Sequence, residues 1–213
     1  MGKLMGWFDF TRAPAGAAVE TMHLPLLPLN AVLFPGGLLA LKIFEQRYLD
    51  MAADCLKEAK PFGICLIASG SETGSATPHP VGTLATIASW EMEQLGILLI
   101  SANGGRRFRI IESQVGPANL LEATVELLTE PKPVTPPPER RRLLPLLRRI
   151  VGDLGPKRIP EPHRFDDAAW VGYRITEVLP IQNLAKQKLL ELDDPLARLQ
   201  ILETYLDQRK LLG

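Results

Sequence analysis

Residues 24–51, LPLLPLNAVLFPGGLLALKIFEQRYLDM, predict the elements around which the rest of the chain folds. The first apolar run contains Pro25 and Pro28. Proline cannot donate a hydrogen bond to a neighbouring strand, so we expect this strand to lie at a sheet edge or to start in extended conformation. The sequence FPGG at 34–37 then predicts a turn, because proline fixes φ and glycine tolerates a positive φ.

The residues after this turn change from strand to helix periodicity. Leu38–Ile43 is predicted to be a second strand, with Leu39, Leu41 and Ile43 on one face. From residue 45 to 56 the apolar residues recur every three or four positions, as they do on one side of a helix. The segment therefore predicts a pair of strands and the helix that covers them.

Composition limits the classes to which the protein can belong. The chain has 213 residues, 46% of them hydrophobic, and a formal net charge of zero. These values are typical of a soluble globular protein, and they provide no overall field that favours nucleic acid or a membrane surface. No apolar run reaches the ~18–20 residues of a membrane span. We expect neither nucleic acid nor a membrane as a partner.

Cysteine and histidine are few and scattered. Cys55 and Cys65 stand ten positions apart, so we expect buried free thiols, which suit the reducing cytosol. His23, His79 and His163 lie in separate segments, and no spacing is typical of a metal site. We therefore predict a cytoplasmic protein that uses no metal and no cofactor.

The pattern divides the chain into two halves. We expect a flexible leader at 1–22, a strand-rich domain at 23–130, a proline-rich linker (PKPVTPPP) at 131–138 and a helical bundle at 139–213. The predicted fold class is α+β. An antiparallel, closed or nearly closed sheet with one helix is followed by four helices. The first half is net acidic and the second net basic, which favours docking of one on the other.

Three local signals set expectations within these halves. Asn103-Gly104-Gly105 predicts a hairpin turn between two strands. Pro145 lies inside a helical pattern, so we expect a kink or a late start of that helix. Asp194, followed by proline at the next position, predicts a cap and the first turn of the last helix.

Two stretches resemble the Lon protease N-terminal domain family. One is 24–51, with Leu-Pro-Leu, Leu-Phe-Pro-Gly and Ile-Phe-Glu-x-Arg-Tyr in that order. The other is VLPIQNLAKQKLLELDDPLARLQIL at 178–202. The resemblance covers about residues 23 to 210. It implies a strand-rich pseudo-barrel of the PUA-like kind and a role in substrate recognition.

The motifs of an ATPase or peptidase are missing from the sequence. We find neither the phosphate-binding GxxxxGK[ST] loop nor a GxSxG nucleophile elbow, so no catalytic residues are assigned and no enzyme activity is expected. Arginines cluster at 140–142 and 148–149. Because no aromatic residues interleave with them, we interpret them as a solvated helix surface and not as a nucleic-acid site.

The candidate site is an apolar surface between the first helix and the strand ends. The residues assigned to it are apolar or aromatic: Phe34, Phe44, Tyr48, Trp90 and Met92, and Leu98 and Phe108 would extend it. The alternative is that most of them belong to the core, and that Glu45 and Arg47 only support the helix start, with Arg47 pairing a strand carboxylate.

Three functions stay open at this point. The first is a non-catalytic module that binds unfolded or exposed apolar polypeptide segments. The second is an adaptor that docks on a separate protease or ATPase, and the third is an enzyme of unknown chemistry on the same fold. The sequence leaves the oligomeric state open.

Overall fold

A computed structural model describes residues 19–212, with the side chain of Pro117 left out. Residues 1–18 of the expected leader lie outside the described residues, while Thr21 and Met22 are already part of the first strand. The described elements, in chain order, are β1 Thr21–Leu29, β2 Leu38–Ile43, α1 Gln46–Glu58, β3 Phe62–Gly70, β4 Ala76–Pro78, β5 Val81–Gln94, β6 Ile97–Val115, β7 Leu121–Leu127, α2 Leu143–Leu154, α3 Ala168–Val178, α4 Asn183–Glu191 and α5 Pro195–Gln208.

Strands β1, β7, β6, β5 and β3 form a closed ring, which confirms the expected pseudo-barrel and the α+β class. Most pairings are antiparallel, but the ring is closed by a parallel pairing of β1 with β3. The first part of β1 pairs with β7 and its last part with β3, so β1 is not a simple edge strand. Each part of β1 is paired on one side only, with Pro25 in the part beside β7 and Pro28 in the part beside β3. Because proline has no N–H, it is tolerated where its nitrogen faces the unpaired side, and no hydrogen bond between strands is lost.

The FPGG segment forms the predicted turn between β1 and β2. Gly37 N donates to Phe34 O at 2.9 Å, and Gly36 has a φ of +70°. Proline at the second turn position and glycine with positive φ at the third define a type II turn. A Cβ on Gly37 would also collide with the carboxylate of Glu177 in α3. The two glycines therefore serve different purposes, one conformational and one steric.

The prediction of a hairpin turn at residues 103–105 is wrong. These residues lie inside the continuous strand β6, and the chain reverses instead at Gly96, whose φ is +81°. Gly104 is required for close packing, because a Cβ there would collide with Phe34 O. Gly104 thus allows the FPGG turn to approach β6, so a glycine that resembles a local turn signal serves a long-range contact.

Strand β2 lies outside the ring and extends the sheet. It pairs with β6, and β6 pairs with β5 on its other side, so the three strands form a sheet extension. Helix α1 packs on one face of it. The shared core is apolar and includes Ile43, Tyr48, Met51, Leu98 and Ile100. The helix predicted after the second strand is confirmed.

The helical half begins as the proline pattern predicts. Helix α2 starts late, at Leu143, with Pro145 in its first turn. The side chain of Asp194 accepts a hydrogen bond from Leu196 N at 2.8 Å, and Pro195 opens α5, which confirms the predicted cap. The helices bury a common apolar core that includes Leu147, Trp170, Val171, Leu199 and Leu202.

Side chains that donate to backbone carbonyls join the two halves. Arg174 in α3 donates to Gly36 O and, at 2.9 Å, to Pro35 O. Gln187 in α4 donates to Val81 O at 2.9 Å. Within the proline-rich stretch, Val134 O accepts from Ala168 N at 2.8 Å, so this stretch is held against α3. The domain boundary at the proline-rich linker, residues 131–138, stays a prediction. The hydrogen bonds of Arg174 and Gln187 join the strand-rich and helical halves.

Candidate functional site

A cleft of about 620 Å³ lies at the start of α1. Glu45, Arg47 and Tyr48 form one wall, and the turns at 73–76 and 118–121 form the others. A smaller pocket of about 70 Å³ adjoins it, between the end of β1 and the end of β2. The two cavities share Glu45 and Tyr48 in their linings. This is the region between the first helix and the strand ends where the sequence places a groove.

Arg47 holds the walls of the cleft together. Its guanidinium donates to Asn119 O at 2.9 Å, to Glu72 O at 3.2 Å and to Gly74 O at 3.3 Å. It also forms an ion pair with Glu45 at 2.9 Å. The prediction that Arg47 pairs with a carboxylate on a strand is wrong, because its ion-pair partner Glu45 directly precedes α1. One side chain instead fixes two loops to the first turn of α1, which makes the cleft a formed feature.

Two of the five candidate residues are buried and do not form a surface. Phe34 is fully buried between the halves and packs on Tyr173, with ring centroids 5.6 Å apart. The turn that follows Phe34 docks on α3, which turns this side chain inward. Tyr48 is 7% exposed and forms part of the cleft floor, where burial raises the pKa of its hydroxyl. Leu98 and Phe108, the possible extensions, are buried as well.

The other three candidates are exposed. Phe44 is 58% exposed, Trp90 57% and Met92 53%. Phe44 lines the smaller pocket together with Leu41, whereas Trp90 and Met92 stand on β5 near the tip of the sheet extension. Phe34 and Tyr48 are therefore removed from the predicted surface, and a site at Phe44, Trp90 and Met92 stays a prediction.

Strand pairing places Trp90 and Met92 on the face of Leu41, whereas Phe44 follows the last paired residue of β2 and is linked to Leu41 through the smaller pocket. Met92 is opposite Leu98, which is in turn opposite Ile43, and Trp90 aligns in the same way with Leu41. Directly opposed residues point to the same side of a sheet, and adjacent strands are roughly 4.8 Å apart. We call Leu41, Phe44, Trp90 and Met92 the apolar strip. Leu98 and Ile100, which lie between β2 and β5 on this face, are buried, so the exposed part of the strip lies at its two ends.

The opposite face of the extension is charged. Lys42 and Glu93 form an ion pair at 2.6 Å, although they stand on the two outer strands. Residues that alternate with the apolar strip therefore point to a polar surface, as expected of a sheet with one dry and one wet face.

A second pocket, of about 130 Å³, lies where the other end of β2 meets the helices. Leu38 and Leu39 line it together with Glu177, Lys186 and Arg158. Burial raises the pKa of the Glu177 carboxyl to about 7 and outweighs the opposing effects of Arg174, Arg158 and Lys186. The sequence analysis missed this residue, because nothing in the local sequence distinguishes Glu177 from a solvated glutamate.

Other candidate chemistry finds a structural explanation. Burial raises the pKa of the Cys55 thiol to about 11 and raises that of Cys65 as well, so both thiols stay protonated. Arg140 pairs with Glu203 and Arg148 stacks on Phe165. Among residues 19–212 no three histidine, cysteine or acidic side chains converge as a metal site would require. No helix in that range has the length and apolarity to span a bilayer.

Comparison with solved structures gives relatives along nearly the whole chain. The Lon N-terminal domain protein from Xanthomonas campestris is 34% identical, with a TM-score of 0.73, and the match covers 86% of this chain and 98% of that one. The N-terminal domain of Mycobacterium avium complex Lon protease is 20% identical, with a TM-score of 0.62, over 87% of this chain and 97% of that one. The second likeness supports the fold alone.

Curated relatives are much longer proteins. Lon protease 2 of Myxococcus xanthus is 32% identical over 111 residues, and Lon protease of Anaeromyxobacter dehalogenans is 30% identical over 111 residues. Each match covers 50% of this chain but only 13% of the relative. A family model described as the ATP-dependent protease La (LON) substrate-binding domain matches residues 23–208. The chain belongs to the Lon substrate-binding domain family.

Proposed function

We propose that this protein binds exposed apolar segments of unfolded polypeptides and catalyses no reaction itself. The observation that carries the proposal is the apolar strip, in which three large side chains, Phe44, Trp90 and Met92, are each more than half exposed. An apolar patch on the surface of a soluble protein commonly marks a binding site. The family description, a substrate-binding domain, supports the same role.

The strip suits ligands that vary in sequence. Trp90 offers a large apolar area with few torsions to immobilise. Met92 is unbranched and adapts its shape to different partners. Tyr48 and Arg47 keep the neighbouring cleft open, so a bound segment has room to continue beyond Phe44. The proposal extends to an adaptor role, in which the protein delivers the bound segment to a separate protease or ATPase.

Binding of a fluorescent apolar peptide tests the proposal. The site variant is the double substitution Trp90→Ser and Met92→Ser. The control is Ile111→Ser, since Ile111 is 57% exposed but is not part of the strip. We expect the double variant to lose at least about tenfold in affinity, because two apolar contacts of about 1–2 kcal/mol each are removed. The control should stay within about twofold.

Two outcomes overturn the proposal. The first is that the unmodified protein binds no apolar peptide at concentrations up to the millimolar range. The second is that the double variant and the Ile111→Ser control bind equally well, which would place the contact surface elsewhere. Circular dichroism of all three proteins establishes that they are folded, so a loss of affinity reports the surface and not the fold.

A further inference from the structure

Strand β2 has one unpaired side. In the described part of the chain it pairs only with β6. Gly104 N donates to Gly37 O at 2.8 Å, and in an antiparallel pair such bonded positions recur at every second residue. The bonds to β6 therefore fall on Leu39, Leu41 and Ile43. The backbone groups that point away from β6 belong to the alternate residues: Leu38, Ala40 and Lys42.

These outward backbone groups are accessible. Ala40 and Lys42 are exposed, and in residues 19–212 their backbone makes no hydrogen bond to any element other than the pairing with β6. An unpaired row of amides and carbonyls is a template for another strand. With six residues, β2 provides three outward positions, which matches a short extended segment of about six residues.

Each end of this free side has a pocket on the apolar face. The pocket of about 130 Å³ adjoins Leu38 and Leu39, and the pocket of about 70 Å³ adjoins Leu41 and Phe44. The opposite wall of both is the chain from the end of β1 to the FPGG turn. A strand added to β2 presents side chains to this face every second residue, roughly 7 Å apart. Two such side chains reach the two pockets.

The two pockets are bordered by charges of opposite sign. Arg158 and Lys186 border the larger pocket, beside the buried Glu177, which is already paired with Arg174 at 2.7 Å. Glu45 and Glu72 border the smaller one. An acidic group is therefore favoured at the helical end of the groove, and a basic group at the α1 end.

We propose that the bound polypeptide adds as an extra strand to the free side of β2, with apolar side chains at alternate positions in the two pockets and an acidic residue next to Arg158. This inference rests on the proposed function, because it assigns a binding mode to the same partner; the added strand lies beyond β2, so Trp90 and Met92 on β5 contact only a segment that continues past it. Main-chain hydrogen bonds then supply affinity independent of sequence, and the pockets select extended segments with alternating apolar residues.

Two capped, fluorescent hexapeptides test the mode on the full chain. Asp-Leu-Thr-Val-Thr-Lys fits a parallel strand, and its reverse, Lys-Thr-Val-Thr-Leu-Asp, fits an antiparallel one. We expect one of them to bind. N-methylation of single amides along that peptide should weaken binding at least about tenfold at every second position and within about twofold at the positions between, because only alternate amides face β2.

Protein variants give the matching readout. Ala40→Pro removes an outward amide and should weaken binding about tenfold, whereas Ala40→Ser keeps the amide and should stay within about twofold. Arg158→Glu should reverse the preference for aspartate at the helical end of the peptide, with lysine there bound more tightly. Because Ala40→Pro affects a strand, its fold is checked by circular dichroism, and the N-methyl series stands without it.

The outcomes separate the binding mode from the function. If the apolar peptide of the preceding test binds but neither hexapeptide does, strand addition is wrong and the proposed function stands. If the N-methylated peptides do not alternate between weak and unchanged binding along the sequence, strand addition is likewise wrong and the proposed function stands. If neither the apolar peptide nor the hexapeptides bind, the proposed function fails, and strand addition fails with it.

Discussion

The two halves of the molecule treat their apolar residues differently. In the helical half the exposed large apolar side chains are spread along the chain, at Leu154 in α2, Leu184 in α4, Ile201 in α5 and Leu211 after α5. In the strand-rich half, Trp90 and Met92 lie together on one face of the sheet extension. Scattered apolar residues are normal on a protein surface, whereas a grouped set indicates a partner. This contrast favours the sheet extension as the surface that meets a partner.

The charges show the same contrast. On the helical half, arginines at the surface pair with carboxylates of α5, as Arg142 does with Asp207 at 3.1 Å. On the sheet extension the charges lie on the face opposite the apolar strip. We infer that the helices serve as a support that orients the sheet extension. The predictions below test this division of labour, beginning with the contacts that join the halves.

The largest effect is expected at Arg107, a fully buried side chain of β6. It donates to Leu190 O at 2.9 Å and pairs with Glu130 at 3.3 Å and Asp193 at 3.1 Å. Arg107→Ala should lower the free energy of unfolding by about 2–5 kcal/mol, because it leaves a cavity and deprives the buried Leu190 O of its donor. Urea titration measures this value. The neighbour Arg106→Ala, which breaks an exposed pair, should cost less than about 1 kcal/mol.

Equal costs for these two arginines would contradict the view that Arg107 joins the halves. The comparison is internal, since both residues belong to the same strand and both pair with carboxylates. Only the burial and the contact with α4 differ. A small effect at Arg107 would mean that the helices stay docked through other contacts.

The next effect is a pH dependence from Glu177. Its pKa is about 7 in the folded protein, against an ordinary value of 4.5. Between these values the unfolded chain releases the proton while the folded chain keeps it, so the contribution of Glu177 to stability is fully present below pH 4.5 and is lost as pH rises to 7. The slope for one proton is at most about 1.4 kcal/mol per pH unit. Glu177→Gln should remove this contribution from urea titrations across that window, and an unchanged slope would contradict it.

Turn glycines and a helix glycine should respond in opposite directions to an added side chain. Gly37→Val should cost about 1–3 kcal/mol, since the new Cβ collides with Glu177 and approaches Phe34 O at 3.1 Å. Gly36→Val should cost a similar amount for its positive φ. Gly152 in α2 has open space around it, so Gly152→Ala should stabilise by about 0.5–1 kcal/mol. Melting temperatures that do not move for either turn variant would show that the turn is not required.

The smallest stability effect is expected on the apolar strip. Trp90→Ser with Met92→Ser should change the free energy of unfolding by less than about 1 kcal/mol, because both side chains are mostly exposed. A loss of several kcal/mol would mean that the strip belongs to the core. Stability that is nearly unchanged, together with a loss of peptide affinity, is the pattern expected of a binding surface.

Features of the fold that depend on neighbouring residues were predictable from the sequence. Pro35 and Gly36 define the turn, and Asp194 defines the start of α5, because proline geometry and helix capping act over a few residues. The continuous course of β6 was not predictable in this way. Gly104 stands where a hairpin signal would, yet its role is the close approach of Phe34, which comes from a distant part of the chain.

The site was predictable in part for the same reason. An aromatic residue beside a turn gives no sign of which face it will occupy until the other half of the chain docks. Phe34 is covered by α3, which begins more than a hundred residues later, whereas Phe44 stays open. Glu177 gains its raised pKa only from that docking. Tertiary contact, and not local pattern, decided these positions.

Photo-crosslinking tests most directly the claim that the sheet extension receives the polypeptide. The probe is an apolar peptide with a benzophenone side chain, irradiated with the full chain and mapped by mass spectrometry after digestion. We predict crosslinks in β2, in β5 and at Phe44, with the yield reduced in the Trp90→Ser, Met92→Ser variant. Crosslinks confined to α2–α5, with an unchanged yield in that variant, would contradict the account.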